Sequence, residues 1–432
     1  MIDSGVTREE VPPGYQRTEV GVIPGEWKVA SLGEIATIVT GNTPPTHDPT
    51  NYGDDYPFVS PTDLGETKYV ADTNKKLSKK GFETSRRFPA NSILFVSIGS
   101  TIGKCGIAPA ELTSNQQINA VFPSCNFSAD YLYYTLCSIA PRIRALAGEQ
   151  AVPIVNKTQF SKTIVPLPPL PEQRTIAAAL SDAEGLIGAL DALIEKKRAI
   201  KQAVMQQLLT GKKRLPGFAG EWETKRLGDI ITFLPTANNP RADLNDDGEI
   251  QYIHYGDVHA QTEPVLDCNV CVLPYIDRGK IGNAAYLEDG DLIMVDASED
   301  LEGTGKSVEV QGISGKNVIA GLHTILCRGN SDQWARGFKA YLQFIPAFKL
   351  ALTRIATGIS VYAISKKQIA EIELALPPVS EQDAIVSILS DMDAEIAALE
   401  RRREKTKQIK QGTMQQLLTG RIRLVEPLEA AA

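Results

Sequence analysis

Two stretches of the chain place apolar residues at alternating steps of three and four. This is the heptad spacing of a coiled coil. Each stretch continues for about 39 residues without a helix breaker, which corresponds to roughly 58 Å of helix. We therefore predict two long helices paired with each other; the alternative is that each packs on its own globular domain. The apolar positions are Ile176, Leu180, Ala183, Ile187, Leu190 and Ile194, then Ile385, Leu389, Met392, Ile396 and Leu399.

Both helices have boundary signals. Pro171 suits a first helical position and Ser380 can cap the second helix, while Gly211 and Gly420 suit the residue just past each end. Shorter apolar patterns predict a buried strand at 93–96 and another at 292–295. Two shorter helices are expected to present core faces made of Leu132, Leu136, Ile139, Ile143 and Leu146, and of Phe338, Leu342, Ile345, Leu352 and Ile355.

The sequence contains an internal repeat. Gly25-Glu26-Trp27 recurs as Gly220-Glu221-Trp222, an offset of 195 residues, and the string Met-Gln-Gln-Leu-Leu-Thr-Gly at 205–211 recurs at 414–420, an offset of 209. The second copy has thus gained residues in its middle. We predict an α+β protein with two pseudo-repeated mixed α/β domains, separated by two long helices that form an antiparallel coiled coil. The predicted segments are 1–170, 171–211, 212–379, 380–420 and a tail, 421–432.

A covalent pseudo-dimer suits DNA, whose local two-fold axes often coincide with protein two-folds. The two subunits of a homodimer are identical, whereas the two DNA-reading halves of a pseudo-dimer can differ in sequence. The stretch 60–66 reads Ser-Pro-Thr-Asp-Leu-Gly-Glu, whereas 254–260 reads His-Tyr-Gly-Asp-Val-His-Ala. A framework that repeats around divergent loops is what reading two unlike half-sites requires, with the helices as a spacer between the readers.

The net charge of −7 gives no global basic footprint, so any DNA contact must be local. Small residues followed by a lysine at 99–104 and 302–307 could approach phosphates, although plain tight turns are the alternative. The lysine and arginine residues between positions 75 and 87 form a basic run that could contact DNA, although an exposed charge run is more often a solvated face. The candidate DNA contacts are Lys75, Lys76, Lys79, Lys80, Arg86, Arg87, Ser97, Thr101, Lys104, Gln116, Gln117, Arg278, Lys280, Thr304, Lys306, Ser307 and His323.

Other chemistries lack their motifs. No Pro-Pro pair precedes an aromatic residue, as an amino-methyltransferase would need, and no nucleotide-binding or hydrolase motif is present. Cys268 and Cys271 form a CxxC pair without a matching second pair, so reduced thiols are favoured over a zinc site completed by His254 and His259. The N-terminus has no apolar signal core and no apolar run would span a membrane, so we expect a cytoplasmic protein.

The assembled motifs resemble those of the specificity subunits of type I restriction-modification enzymes. They are the segment 14–24 leading to Trp27, the segments 167–173 and 208–211 at the two ends of the first long helix, the segment 215–218 before Trp222, and 103–104 followed by 115–120. The resemblance covers nearly the whole chain. In the second half, His323 occupies the region of the 115–119 run, and the Gln-Gln pair is absent there.

This resemblance implies two target-recognition domains that read a bipartite, asymmetric DNA site, with no catalysis by this chain. It also implies two adenine-methyltransferase partners and, optionally, two motor-nuclease subunits. S-adenosylmethionine, ATP and magnesium would then belong to the partners, and no metal or cofactor is expected on this chain. Two alternatives stay open: a coiled-coil scaffold without DNA readout, and a self-contained restriction-methylation fusion.

Overall fold

A computed structural model of the chain describes residues 11–148 and 151–424. The first ten residues, which begin the N-terminal segment considered above, and most of the predicted tail lie outside this range. The chain divides into two compact units: unit 1 contains residues 1–191 and 401–432, and unit 2 contains residues 192–400. Within the described part, no helix has the length and apolar character needed to cross a membrane.

Unit 1 is built from short strands and helices that lead into the first long helix, with two single-turn 3-10 helices at Pro49–Asn51 and Pro61–Asp63. Its elements are β1 (Tyr15–Thr18), β2 (Gly21–Pro24), β3 (Lys28–Ser31), α1 (Leu32–Ile35), β4 (Ile38–Thr40), β5 (Tyr52–Gly53), β6 (Tyr56–Val59), β7 (Lys76–Leu77), α2 (Lys79–Thr84), β8 (Arg87–Phe88), β9 (Ile93–Val96), β10 (Cys105–Ile107), β11 (Leu112–Ser114), β12 (Ile118–Val121), α3 (Ala129–Ala145), α4 (Lys157–Ser161), β13 (Ile164–Leu167) and α5 (Leu170–Leu208), whose final part belongs to unit 2.

Unit 2 repeats this plan, with 3-10 turns at Arg241–Asp243, Arg278–Lys280 and Lys339–Phe344. Its elements are β14 (Glu223–Arg226), α6 (Leu227–Ile230), β15 (Ile231–Leu234), β16 (Ile250–Ile253), α7 (Tyr255–Ala260), β17 (Val265–Asp267), β18 (Tyr275–Ile276), β19 (Leu292–Val295), β20 (Ala297–Ser298), β21 (Ser307–Gln311), β22 (Asn317–Ala320), β23 (Thr324–Gly329), α8 (Pro346–Ile355), β24 (Tyr362–Ala363), α9 (Lys366–Ala370), β25 (Glu373–Leu376) and α10 (Val379–Leu418), whose final part belongs to unit 1.

The sheets show the repetition directly. The main sheet of unit 1 has the order β10-β9-β12-β4, and that of unit 2 has the order β17-β21-β19-β23-β15. The strands β10, β9, β12 and β4 of unit 1 correspond in order to β21, β19, β23 and β15 of unit 2. The sheet of unit 2 has β17 as an additional edge strand. In each unit a further parallel pair, β6 with β11 or β16 with β22, precedes the strand β12 or β23, which pairs with β9 or β19 in the main sheet. This common topology confirms the predicted α+β fold class.

The predicted strands 93–96 and 292–295 are the central strands β9 and β19, and every residue in both is buried. Both are continuous apolar runs because each lies inside its sheet with both faces covered. The expected short helix of unit 1 is α3. In unit 2 the corresponding segment is interrupted, because a 3-10 turn stops at Phe344 and α8 starts at Pro346, whose ring removes a backbone donor.

The long helices α5 and α10 begin within two residues of the predicted positions. Ser380 lies inside the first turn of α10 instead of capping it, which corrects that expectation. Gly211 and Gly420 follow the helices in the left-handed region, with φ of 67° and 69°, which a residue without a side chain adopts at low cost. The apolar seam is buried at positions such as Leu180, Leu190 and Leu389, and exposure increases after Leu399.

Ion pairs join the two long helices within each unit. In unit 1, Lys410 pairs with Glu184, and Arg403 lies 3.1 Å from Asp191. In unit 2, Lys197 and Glu395 are 2.6 Å apart. A further unit 2 pair joins Lys201 with Asp393. In both units the residue numbers rise along one helix as they fall along the other, so the paired segments run antiparallel.

The repeated Pro-Glu-Gln or Ser-Glu-Gln start of each long helix has a structural role. The amide of Gln173 donates to the Pro168 carbonyl at 2.9 Å and accepts from the Ser128 backbone amide. Gln382 makes the same two kinds of bond, to the Pro377 carbonyl and from the Ala335 amide. Each glutamine therefore ties the beginning of its long helix to the domain that precedes it.

The glutamates beside these glutamines form a buried cluster in each unit. In unit 1, Glu172 accepts from the Trp27 indole at 3.0 Å and from Arg423 Nη2 at 2.8 Å. In unit 2, Glu381 accepts from Trp222 at 3.2 Å and from Arg214 Nη2 at 2.6 Å. We call these the Trp–Glu–Arg clusters. Each one fastens the segment that follows one long helix to the first turn of the other.

Candidate nucleic-acid interface

Loops from three parts of unit 1 meet near the ends of β4 and β11. The Asn42 side chain accepts from the Arg86 backbone amide at 2.7 Å, and the Thr43 hydroxyl donates to the Gln116 side chain at 2.6 Å. A residue with a side chain does not fit at position 41, because its Cβ atom would lie 2.2 Å from the Asn115 carbonyl oxygen. These contacts bring the predicted residues Arg86 and Gln116 onto one surface.

Most of the predicted basic run is neutralised inside unit 1. Lys76 pairs with Asp72 at 2.9 Å, Lys80 with Asp48 at 2.8 Å, and Lys79 and Arg87 have looser carboxylate partners, Glu83 and Glu111, at 3.9 Å and 3.8 Å. Hydrogen bonds from Lys80 and Thr50 lower the pKa of Asp48 to about 2. Lys75 and Arg86 are exposed and have no carboxylate partner among the described residues, so theirs are the most available charges of the run.

The Gly-rich segment of unit 1 is a tight turn between β9 and β10. Gly99 and Gly103 have φ of 97° and 105°, values that favour glycine. Thr101 and Lys104 are half-buried on this turn, and no hydrogen-bond partner of the Lys104 ammonium is found in the described residues. Ser97, by contrast, is buried, and its hydroxyl accepts from Asn119 at 2.8 Å. Its position corrects the expectation of a direct DNA contact.

The matching turn of unit 2 uses its polar groups internally. Lys306 donates to the carbonyls of His259 and Gln261 at 2.7 Å and 2.8 Å, so it caps the end of α7. Thr304 is buried with its hydroxyl on the Asp300 carbonyl, and Ser307 is fully buried in β21. Burial of Thr304 and Ser307, and the two carbonyls that engage the Lys306 ammonium, correct the expectation that these three residues are exposed phosphate contacts.

His323 lies within an aromatic group of unit 2 that is centred on Tyr255. The Tyr255 ring lies 4.3 Å from the ring of His254, 6.1 Å from that of His259 and 5.5 Å from that of His323. Burial lowers the pKa of His254 and of His259, so both rings are uncharged at neutral pH. His323 itself is half-exposed, with Nδ1 3.2 Å from the Asp296 carboxylate.

The remaining candidates are placed as follows. Gln117 is half-buried and accepts from the Asn115 side chain at 2.9 Å, so it shapes the turn that presents Gln116. Arg278 and Lys280 lie on an exposed 3-10 turn of unit 2, and Lys280 is 3.6 Å from Asp243. Cys268 is buried, and no group of three or more potential metal ligands occurs in the residues that the structure describes.

Sequence reasoning missed several residues of these surfaces. Asn42 and Thr43 follow Gly41 at the end of β4, and the close packing that fixes this loop is visible only in the structure. Asp296 was missed although the repeat itself pointed to it: it follows 292–295 as Ser97 follows 93–96. Tyr255 lies in the divergent stretch 254–260, where divergence alone could not say which residue is exposed.

The profile of one protein family, described as "Type I restriction modification DNA specificity domain", matches this chain twice. The matched residues are 24–199 and 219–411, one match for each copy of the repeat. The chain belongs to this family. Membership confirms the predicted specificity subunit, its DNA-recognition role and its non-catalytic class, while the scaffold and fusion-enzyme alternatives find no support.

Full-length relatives agree with the family assignment. The chain is 24% identical to the type I restriction enzyme MjaVIII specificity subunit of Methanocaldococcus jannaschii, over 93% of this chain and 94% of that protein. It is 22% identical to the EcoKI specificity subunit of Escherichia coli K12, over 88% and 85%. Each match thus extends over most of both chains.

Solved structures share the fold at low sequence identity. A chain from a study of complex assembly and conformational transition of the type I restriction-modification system matches with a TM-score of 0.59 and 18% identity, covering 93% of this chain and 99% of that one. The specificity subunit from M. genitalium matches with a TM-score of 0.51 and 15% identity, over 90% and 96%.

Proposed function

We propose that this specificity subunit reads a bipartite, asymmetric DNA site, one half-site through each unit, and brings partner subunits to it. The observation that carries the proposal is a sheet framework built twice in one chain while the loops at the strand ends differ. Unit 1 surrounds Gln116 with Asn42, Thr43 and Arg86, whereas unit 2 presents His323 beside Tyr255. Side chains of these types read base edges by hydrogen bonds in the grooves.

The proposed partners are two adenine-methyltransferase subunits and, optionally, two motor-nuclease subunits. S-adenosylmethionine, ATP and magnesium belong to those partners in this proposal, and the complex works in the cytoplasm. The two-fold repetition of unit 1 and unit 2 supports it, because a framework that occurs twice offers two similar surfaces for one kind of partner. A charged stretch of α10 that such a partner could cover is formed by the exposed residues Arg401, Arg402, Lys405 and Lys407.

Selection from a pool of random DNA duplexes tests this function. The chain is purified with adenine-methyltransferase subunits, bound duplexes are recovered through repeated rounds, and their sequences are aligned. We expect two short conserved blocks of different sequence, separated by a fixed number of unconserved base pairs. A parallel selection with the methyltransferase subunits alone is the control. Enrichment of a single block, or of no sequence at all, contradicts the proposal.

A further inference from the structure

Both units contain a three-residue turn at the same place in the fold. In unit 1, residues 115–117 join β11 to β12; in unit 2, residues 321–323 join β22 to β23. The first turn residue makes the same backbone bond in each. The amide of Asn115 donates to the Val59 carbonyl at 3.0 Å, and that of Gly321 donates to the Ile253 carbonyl at 2.9 Å. The third turn residue, Gln117, therefore corresponds to His323.

The residue after the central strand completes the correspondence. The Ser97 amide donates to the Gln117 carbonyl at 2.7 Å, and the Asp296 amide donates to the His323 carbonyl at 3.2 Å. The carbonyl of Ser97 accepts from Val155 at 2.8 Å, as that of Asp296 accepts from Ile364 at 2.9 Å. Ser97 and Asp296 thus occupy equivalent positions, fixed by the same backbone bonds on both sides.

The side chains at these equivalent positions have different chemistry. In unit 1, Ser97 is buried and hydrogen-bonded to Asn119. In unit 2, the side chains of His323 and Asp296 are 49% and 34% exposed and 3.2 Å apart. A carboxylate only accepts hydrogen bonds, so the Nδ1 atom of His323 carries the hydrogen and the ring is held in one orientation. Its other nitrogen, Nε2, has no hydrogen-bond partner in the described part of the chain.

The backbone and the surroundings of His323 also set it apart. Its φ of 55° lies in the left-handed region, which is uncommon for a residue other than glycine and recurs at functional sites. Beside it is a cleft of about 410 Å³, lined among others by Tyr255, His259, Ser298 and Asp300. An imidazole fixed by a carboxylate at the edge of such a cleft has the geometry of a side chain that reads a ligand.

We propose that the His323–Asp296 pair determines one base pair of the second half-site. His323 contacts the base edge through Nε2, and Asp296 is a positioning residue that holds the ring. The inference rests on the proposed function of unit 2 as a DNA reader. On this account, unit 2 keeps the backbone arrangement of unit 1 but carries an exposed reading pair, His323 and Asp296, where unit 1 has the half-buried Gln117 and the buried Ser97.

The test is the duplex selection repeated with His323→Asn and with Asp296→Asn. Asparagine tolerates the left-handed backbone at 323 and keeps a polar group there. We expect discrimination at one base pair of the second half-site to fall roughly 5- to 150-fold in His323→Asn, as for the loss of one good base contact. Asp296→Asn weakens the same base pair. The double variant loses no more than His323→Asn alone, because Asp296 acts through the ring.

The first half-site must stay unchanged in both variants, which also reports that unit 1 is folded. His47→Asn, an exposed histidine of unit 1, is the matched control and leaves the second half-site intact. An unaltered second half-site in His323→Asn overturns this inference while leaving the proposed function standing. If the wild-type chain selects no bipartite site, the proposed function itself fails. If His323→Asn unfolds unit 2, the result for Asp296→Asn decides, and an unaltered second half-site in that variant overturns the inference.

Discussion

Replacing Arg423 with alanine is expected to lower the free energy of unfolding of unit 1 by about 3 kcal/mol. The Glu172 side chain is only 2% exposed, and Arg423 supplies its opposite charge through two hydrogen bonds. Without the arginine, the carboxylate keeps the Trp27 indole but remains buried and charged without a cation. An uncompensated buried charge is far costlier than a lost surface pair.

Hydrogen exchange of the full chain measures this effect unit by unit. Amides of the central strand Ile93–Val96 report on unit 1, and those of Leu292–Val295 report on unit 2 as an internal reference. The control is Arg336→Ala, which removes an exposed ion pair with Asp289 and should change protection by less than about 1 kcal/mol. Equal effects of the two substitutions would show that the unit 1 cluster contributes no more than a surface contact.

Replacing Lys339 with methionine should destabilise unit 2 by about 3 kcal/mol. Lys339 and Glu309 are 5% and 2% exposed, with 3.8 Å between the ammonium and the carboxylate. Glu309 also accepts from the backbone amides of Gly337 and Ala340 at 2.6 Å and 3.0 Å. Methionine preserves much of the packing on Trp334 but removes the only cation that faces this carboxylate among the described residues.

The pH dependence of the methionine variant gives a second readout. Burial already raises the pKa of Glu309, and loss of Lys339 raises it further. An acid with a raised pKa binds its proton more tightly in the folded state than in the unfolded state. The free energy of unfolding therefore increases as pH falls, and it decreases as pH rises through the folded-state pKa. Exchange protection of Leu292–Val295 should therefore increase from pH 7 to pH 5 in the variant. Adding Glu309→Gln should restore stability at pH 7; no rescue would mean that packing, not charge, explains the loss.

Much of the fold could be predicted because the chain repeats itself. Continuous apolar runs marked the two central strands, and heptad spacing with a terminal glycine marked the long helices within two residues. The interruption before Pro346 and the edge strand β17 were missed. Both are properties of one copy only, so the repeat could not indicate them.

The candidate site was less predictable, because exposure depends on tertiary packing. Ser97, Ser307 and Thr304 have side chains that suit phosphate, but the fold buries them. Lys306 looked like a free cation and proved to cap α7. The basic run looked continuous in the sequence. In the structure, however, Asp48 and Asp72, which both precede the run, neutralise part of it.

The central claim is that each unit reads its own half-site, and exchanging one reader tests it most directly. Residues 220–375 are replaced by the second recognition domain of another family member, leaving both long helices native. The chimaera is combined with methyltransferase subunits, and modified sites are mapped by methylation-sensitive sequencing. The account predicts a new sequence at one half-site and the original sequence at the other. A change in both half-sites, or in neither, contradicts it.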